Sequence, residues 1–163
     1  MVDLMQDKVM PQEFQSNATY LGFDFGERNT GVAVGQRITG TATGLETIRS
    51  SSDEAFWGAI TRLVNTWQPT AFVVGVPYPP EEGEENPIIR LIAIFCSHLE
   101  ARFQRPVYTM DETLSTKESQ SIFYDQRPRK SVQFTDIKDE LAAQLILQTW
   151  LSHTAARHEA RHV

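Results

Sequence analysis

The six residues Ala71-Phe-Val-Val-Gly-Val76 form a continuous apolar run with no polar alternation. A run of that length without alternation reads as a strand buried on both faces. A strand of that kind needs a layer of structure above and below it, which points to an α/β architecture: a mixed central sheet flanked by helices. Residues 20–25 and 31–36 are two more short apolar runs, joined by Gly26-Glu-Arg-Asn-Thr30, and read as a hairpin. A weaker strand is expected over residues 41–48, and another over 106–110, ending at Asp111-Glu112.

Helices fill the spaces between. Ser51-Ser-Asp-Glu54 is a capping box, followed by Phe56, Ile60, Leu63, Val64 and Trp67 at helical spacing. Gln68-Pro69 stops that helix. Asn86-Pro87 places an N-cap and a first-turn proline at the head of a second helix, to about Phe103. Ser115-Thr-Lys-Glu118 is another capping box, opening a short helix to about Tyr124, and a basic linker over 125–135 leads to a last helix from about Asp136 to beyond Trp150. The reading is one domain over 19–152, a flexible N-terminal arm over 1–18 and a C-terminal tail over 153–163. Cys96 and the three tryptophans, Trp57, Trp67 and Trp150, lie on helical stretches and are expected in the core.

The carboxylates carry the chemistry. Asp24 interrupts an otherwise apolar strand beside Gly22 and Gly26, and a carboxylate there is costly unless it is paired or binds an ion. Asp111-Glu112 ends another strand, where sheets of this kind present their ligand crevice. Adjacent strand residues point to opposite faces, so at most one of the pair aims at the same site as Asp24. Asp139 shares a helical face with Ala142, Ala143 and Ile146, whose small side chains let the helix approach the sheet. Taken singly, each has a plainer reading: a buried Asp satisfied by backbone donors, a pair of exposed charges, an acid favoured by the helix dipole. Together, three carboxylates from two strand ends and a helix start could hold Mg²⁺ or Mn²⁺ for phosphodiester hydrolysis.

The formal charge of −6 runs against a nucleic-acid partner, whose phosphates call for a basic footprint. The imbalance is local, however. Glu81, Glu82, Glu84 and Glu85 crowd into one loop, while Arg127, Arg129 and Lys130 cluster in another. No apolar run is long enough to span a membrane. With a single cysteine and no secretory signature at its start, the chain is expected in the cytoplasm.

Five segments in order are more specific than any residue alone: Tyr20-Leu-Gly-Phe-Asp-Phe-Gly26, Gly31-Val-Ala-Val-Gly35, Val73-Val-Gly-Val-Pro77, Asp111-Glu-Thr-Leu-Ser-Thr116 and Lys138-Asp-Glu-Leu-Ala-Ala143. The set resembles the YqgF (RuvX) family of pre-16S ribosomal RNA nucleases, related to Holliday-junction resolvases. The resemblance covers residues 20–151 and implies a ribonuclease H-like fold. It carries the family's acidic positions onto Asp24, the Asp111-Glu112 pair and Asp139, with Glu112 preferred over Asp111. Asp24, Glu112 and Asp139 are thus the expected catalytic and metal-binding set, and Arg28, Lys117, Arg129 and Lys130 the expected substrate-binding cations. The implied partner is nucleic acid, precursor rRNA first and branched DNA second. A non-catalytic binding module of the same fold is the competing class. Two departures stand out: Thr113 replaces a common arginine, and Tyr78-Pro-Pro-Glu-Glu-Gly83 replaces the family's usual loop.

Two other signals are set aside. His158-Glu-Ala-Arg-His162 matches a zinc-protease pattern but ends one residue before the C-terminus, without an apolar face. The glycine-flanked Asp24 segment also resembles the first phosphate loop of actin-like ATPases, which need a second domain that this length does not provide.

Overall fold

The computed structural model describes residues 11–77, 86–112 and 134–161. Five strands make one sheet: β1 (Thr19–Asp24), β2 (Asn29–Gln36), β3 (Thr41–Arg49), β4 (Ala71–Val76) and β5 (Val107–Asp111), in the order β3-β2-β1-β4-β5. The β1–β2 and β2–β3 pairs are antiparallel, and β4 runs parallel to both β1 and β5. Helices α1 (Asp53–Trp67) and α2 (Pro87–Phe103) cover one face, and α3 (Phe134–Arg161) covers the other. No helix among the described residues is long and apolar enough to cross a membrane.

Strand alternation sorts the core into two layers. Leu21, Phe23, Val32, Val34, Phe72 and Val74 meet Phe56, Ile60, Phe95 and Leu99 of α1 and α2. Tyr20, Ala33, Ala71, Val73 and Met110 meet Ala143, Ile146, Leu147 and Trp150 of α3. The unbroken apolar run of β4 divides between both layers, as burial on two faces requires.

Local signals set the helix ends. Asn86 Oδ1 accepts from the Ile88 N–H at 3.2 Å, with Pro87 in the first turn. α1 is capped one residue later than the capping box suggested: Ser52, not Ser51, accepts from the Ala55 N–H at 3.1 Å. Gln68 and Gln104 end α1 and α2 in the left-handed conformation, with φ of 47° and 54°.

Other expectations need correction. The segment taken as a flexible arm is anchored at Glu13, Phe14 and Ala18. Phe14 stands edge-on to Tyr108 and tilted against Trp150, Tyr108 donates to Glu13 Oε1 at 2.8 Å, and Ala18 is buried. Average polarity hid this one aromatic anchor. The segment taken as a tail continues α3 to Arg161, held where Arg37 donates to Thr154 Oγ1 at 2.8 Å. Trp67 lies at the exposed end of α1 rather than in the core. The expected short helix over 115–124, and Lys117, Arg129 and Lys130 with it, lie outside the described residues.

Candidate active site

Asp24 is the last residue of β1, at the carboxyl ends of the three parallel strands. Its register partner across β2 is Gly31. A Cβ built on Gly31 would collide with the Asp139 carbonyl and lie 3.0 Å from the Glu140 N–H nitrogen. Paired residues share a face, so Asp24 projects toward α3, as Tyr20 of the same strand does. Gly31 lets the α3 backbone lie directly on the sheet beside Asp24.

Register sorts the Asp111-Glu112 pair by face. Gly75 pairs with Met110, and Met110 is buried under α3. Two residues on, Glu112 belongs to that same face, and Asp111 to the opposite one. A Cβ built on Gly75 would meet Ile146 and lie 3.1 Å from Glu112 Oε1. The Glu112 side chain therefore folds back over Gly75. Continuing the pairing of Phe23 with Val74 puts Gly75 level with Asp24, one strand spacing of about 4.8 Å away. Asp24 thus stands between two glycines, with a carboxylate over one and a helix backbone over the other. Burial, and secondarily the neighbouring Asp111 charge, pushes the Glu112 carboxyl above its ordinary range.

Asp139 is half-buried on the sheet-facing side of α3, four residues before Ala143 and seven before Ile146. The helix opens at Phe134, so Asp139 sits in its second turn rather than its first. Glu140, which the sequence reading passed over, lies against Gly44 of β3, its Cβ 3.2 Å from where a glycine side chain would begin. Burial, then Glu46 and Asp139, raise the Glu140 carboxyl. Gln144 Oε1 accepts from the Gly44 N–H at 2.8 Å, and Gln148 Oε1 from the Ala42 N–H at 3.0 Å. These two glutamines fasten α3 to the edge strand and so fix where Asp139 falls.

All the expected donors are carboxylate oxygens, a set suited to Mg²⁺ or Mn²⁺ rather than Zn²⁺. The residues fit such an ion in donor type and in charge: a half-buried Glu112 beside like charge is relieved by a cation. Among the described residues, however, no three Asp, Glu, His or Cys side chains are gathered closely enough to hold a metal ion. Asp24 and Glu112 lie on the α3 face of the sheet, and the Asp139 backbone rests on Gly31 beside Asp24. Arg28 lies exposed in the β1–β2 turn, where its carbonyl accepts from the Ser50 N–H at 2.8 Å. Of the zinc-protease match, His158 and Glu159 fall in the last turns of α3, and His162 lies outside the described residues.

A β3-β2-β1-β4-β5 sheet with helices on both faces defines a ribonuclease H-like protein, and solved structures bear this out. Thermus thermophilus RuvC in complex with Holliday junction substrate superposes with a TM-score of 0.53 at 19 % identity, over 82 % of this chain and 92 % of RuvC. The fowlpox virus resolvase, solved with Holliday junction DNA, gives 0.54 at 12 % identity, over 83 % and 98 %. The RuvX family, described as Holliday junction resolvase, matches residues 18–153, and the chain belongs to it. A Methylococcus capsulatus relative named "Putative pre-16S rRNA nuclease" is 56 % identical, over 83 % of this chain and 89 % of its own. One of the same name from Ralstonia nicotianae is 39 % identical, over 90 % and 94 %.

Proposed function

We propose that this chain is a divalent-metal-dependent nuclease that hydrolyses phosphodiester bonds, and that its substrate is the 5′ region of precursor 16S rRNA during ribosome biogenesis in the cytoplasm. The observation that carries the reading is Asp24 at the strand ends, flanked by Gly31 and Gly75, with the Asp139 backbone over one and the Glu112 carboxylate over the other. A structural aspartate has no need of two neighbouring positions stripped of side chains.

Asp24, Glu112 and Asp139 would hold Mg²⁺ or Mn²⁺, which when bound supplies Lewis-acid stabilisation to the phosphoryl and departing oxygens. The protein's part is to keep three carboxylates at one corner, on rigid elements, against their mutual repulsion. α3 excludes water from the sheet side through Ile146 and Leu147. Arg28, Lys117, Arg129 and Lys130 would meet backbone phosphates and set the register of the strand being cut. Water adds to phosphorus as the bridging P–O bond breaks, and the departing oxygen takes up a proton.

A second reading, resolution of branched DNA, is favoured by the family's description and by relatives of the fold solved with junction DNA. The test is to incubate purified protein with precursor 16S rRNA fragments and with a four-way DNA junction, each with and without Mg²⁺. Cleavage of the RNA only, and only with Mg²⁺, is the expected result. Preferential junction cutting selects the second reading. Binding to both without cutting either would make the chain a binding module.

A further inference from the structure

Phe25 follows Asp24 directly and points to the other face of the sheet, where it stacks on Phe95 with ring centroids 4.9 Å apart. Around it lies an open groove of about 320 Å³ between the β1–β2 turn, the start of α1 and one side of α2. Phe25, Phe56, Trp57 and Phe95 form its floor, with Trp57 edge-on to Phe56. Glu27 and Asp53 line the groove, both exposed, as do His98 and Arg102. The Arg102 guanidinium lies 4.4 Å from the centre of the Trp57 ring. Ile94, on the groove wall, is 47 % exposed although it is a large apolar side chain.

From this we infer that the groove receives one unpaired nucleobase of the nucleic-acid substrate, guanine in preference to the others. The inference rests on the nuclease reading for its substrate class and adds where a nucleotide beside the cut is held. The volume suits a single nucleotide and is too small for a helix or a folded partner. An aromatic floor offers stacking, which is worth about 1–3 kcal/mol per base. The two carboxylates accept hydrogen bonds, and guanine alone among the common bases presents adjacent ring and exocyclic N–H donors to such a group. Arg102 and His98 supply cationic or hydrogen-bonding partners for its phosphate. Because Asp24 and Phe25 are consecutive, a nucleic-acid strand has only to pass over the carboxyl end of β1 to reach both faces.

The test uses the full chain in metal-free buffer, titrated with guanosine, adenosine, cytidine and uridine 5′-monophosphates and with inorganic phosphate, and followed by the NMR signals of the Trp57 indole and the His98 ring. Guanosine monophosphate should saturate those signals with the highest affinity and inorganic phosphate should leave them nearly unmoved. Ile94→Asp, an exposed change that adds negative charge to the wall, should weaken guanosine monophosphate at least tenfold without lowering the melting temperature. Arg102→Gln should weaken it severalfold, and Asp24→Asn should not weaken it. Equal affinity for uridine and guanosine monophosphates, an equal response to inorganic phosphate, or no saturable shift at all would overturn the inference; the last is what a groove for an apolar peptide would give. No cutting metal is present, so the outcomes separate. Nucleotide binding by a chain that cuts nothing would sink the nuclease reading alone, and cutting without binding here would sink this one alone.

Discussion

The two faces of the sheet are made of different material. Under α1 and α2 the strands present Phe23, Phe72 and Val74 to Phe56 and Phe95, a thick aromatic layer. Under α3 they present Tyr20, Ala71 and Val73 at one end, with Trp150 against Tyr20, and Gly31 and Gly75 at the end that carries Asp24. Bulk on the first face supplies burial, which is the main source of stability. At the Gly31 and Gly75 end of the second face side-chain volume is given up, and the helix comes to backbone contact beside Asp24. Both faces are buried, but only the second combines close helix approach with the Asp24 carboxylate.

The sharpest contrast lies between two consecutive residues. Asp24→Asn keeps the shape but removes the charge, and cleavage should fall at least about a thousandfold, about 4 kcal/mol of transition-state stabilisation. Folding should survive and even improve in metal-free buffer, since carboxylates crowded without a cation repel one another. Phe23→Ala, one residue earlier and on the other face, should cost about 3–5 kcal/mol in denaturant unfolding. A clear drop in melting temperature for Asp24→Asn with cleavage intact would erase the distinction between the faces.

Glycines give the next comparison. Gly31→Ala drives a methyl group into the α3 backbone, which has no rotamer through which to yield, so a loss near about 3 kcal/mol is expected. Cleavage should fall with it as Asp139 is pushed off the sheet. Gly58 of α1 is exposed, and a Cβ there meets nothing within 4 Å. Gly58→Ala should therefore stabilise by up to about 1 kcal/mol through helix propensity, without touching activity. Matched changes in unfolding free energy at the two glycines would mean that α3 does not need its close approach.

What could be read from the residues divides along the same line. Hydrophobic period and cap chemistry are local, so β4, the hairpin, α1 and the Asn86-Pro87 start of α2 were legible, with errors of one or two residues at their ends. Asp24 was legible because a charge in an apolar strand is anomalous by itself. Which face each of Asp111 and Glu112 takes was not legible, because it depends on the pairing of Gly75 with Met110. The flanking glycines could not be interpreted, because what lies over Gly31 comes from more than 100 residues away along the chain. Composition misled at the N-terminus, where Phe14 and Glu13 tie a polar segment to Tyr108 and Trp150. The aromatic groove was missed because Trp57 read as ordinary core and Phe25 as one more apolar residue of its strand.

The smallest effect expected is a pH dependence belonging to the α3 face alone. Burial and then Asp111 raise the Glu112 carboxyl above its ordinary value of 4.5. A carboxyl raised in the folded state favours the protonated form there. Its contribution to stability is complete below the unfolded value, and is lost as the pH climbs through the raised folded value. Glu112→Gln, which keeps the shape without the ionisation, should therefore melt close to the native chain at pH 4. Above that range it should melt higher in metal-free buffer, by a margin that grows and then levels off toward neutrality. Adding Mg²⁺ at neutral pH should raise the native chain toward the variant, because an ion bound only by the folded state stabilises it. Phe23→Ala, on the aromatic face, should lower the melting temperature by nearly the same amount at every pH. Parallel melting curves for Glu112→Gln and the native chain across pH 4 to 8, with or without Mg²⁺, would mean that Glu112 is solvated like any surface carboxylate and takes no part in the acidic corner.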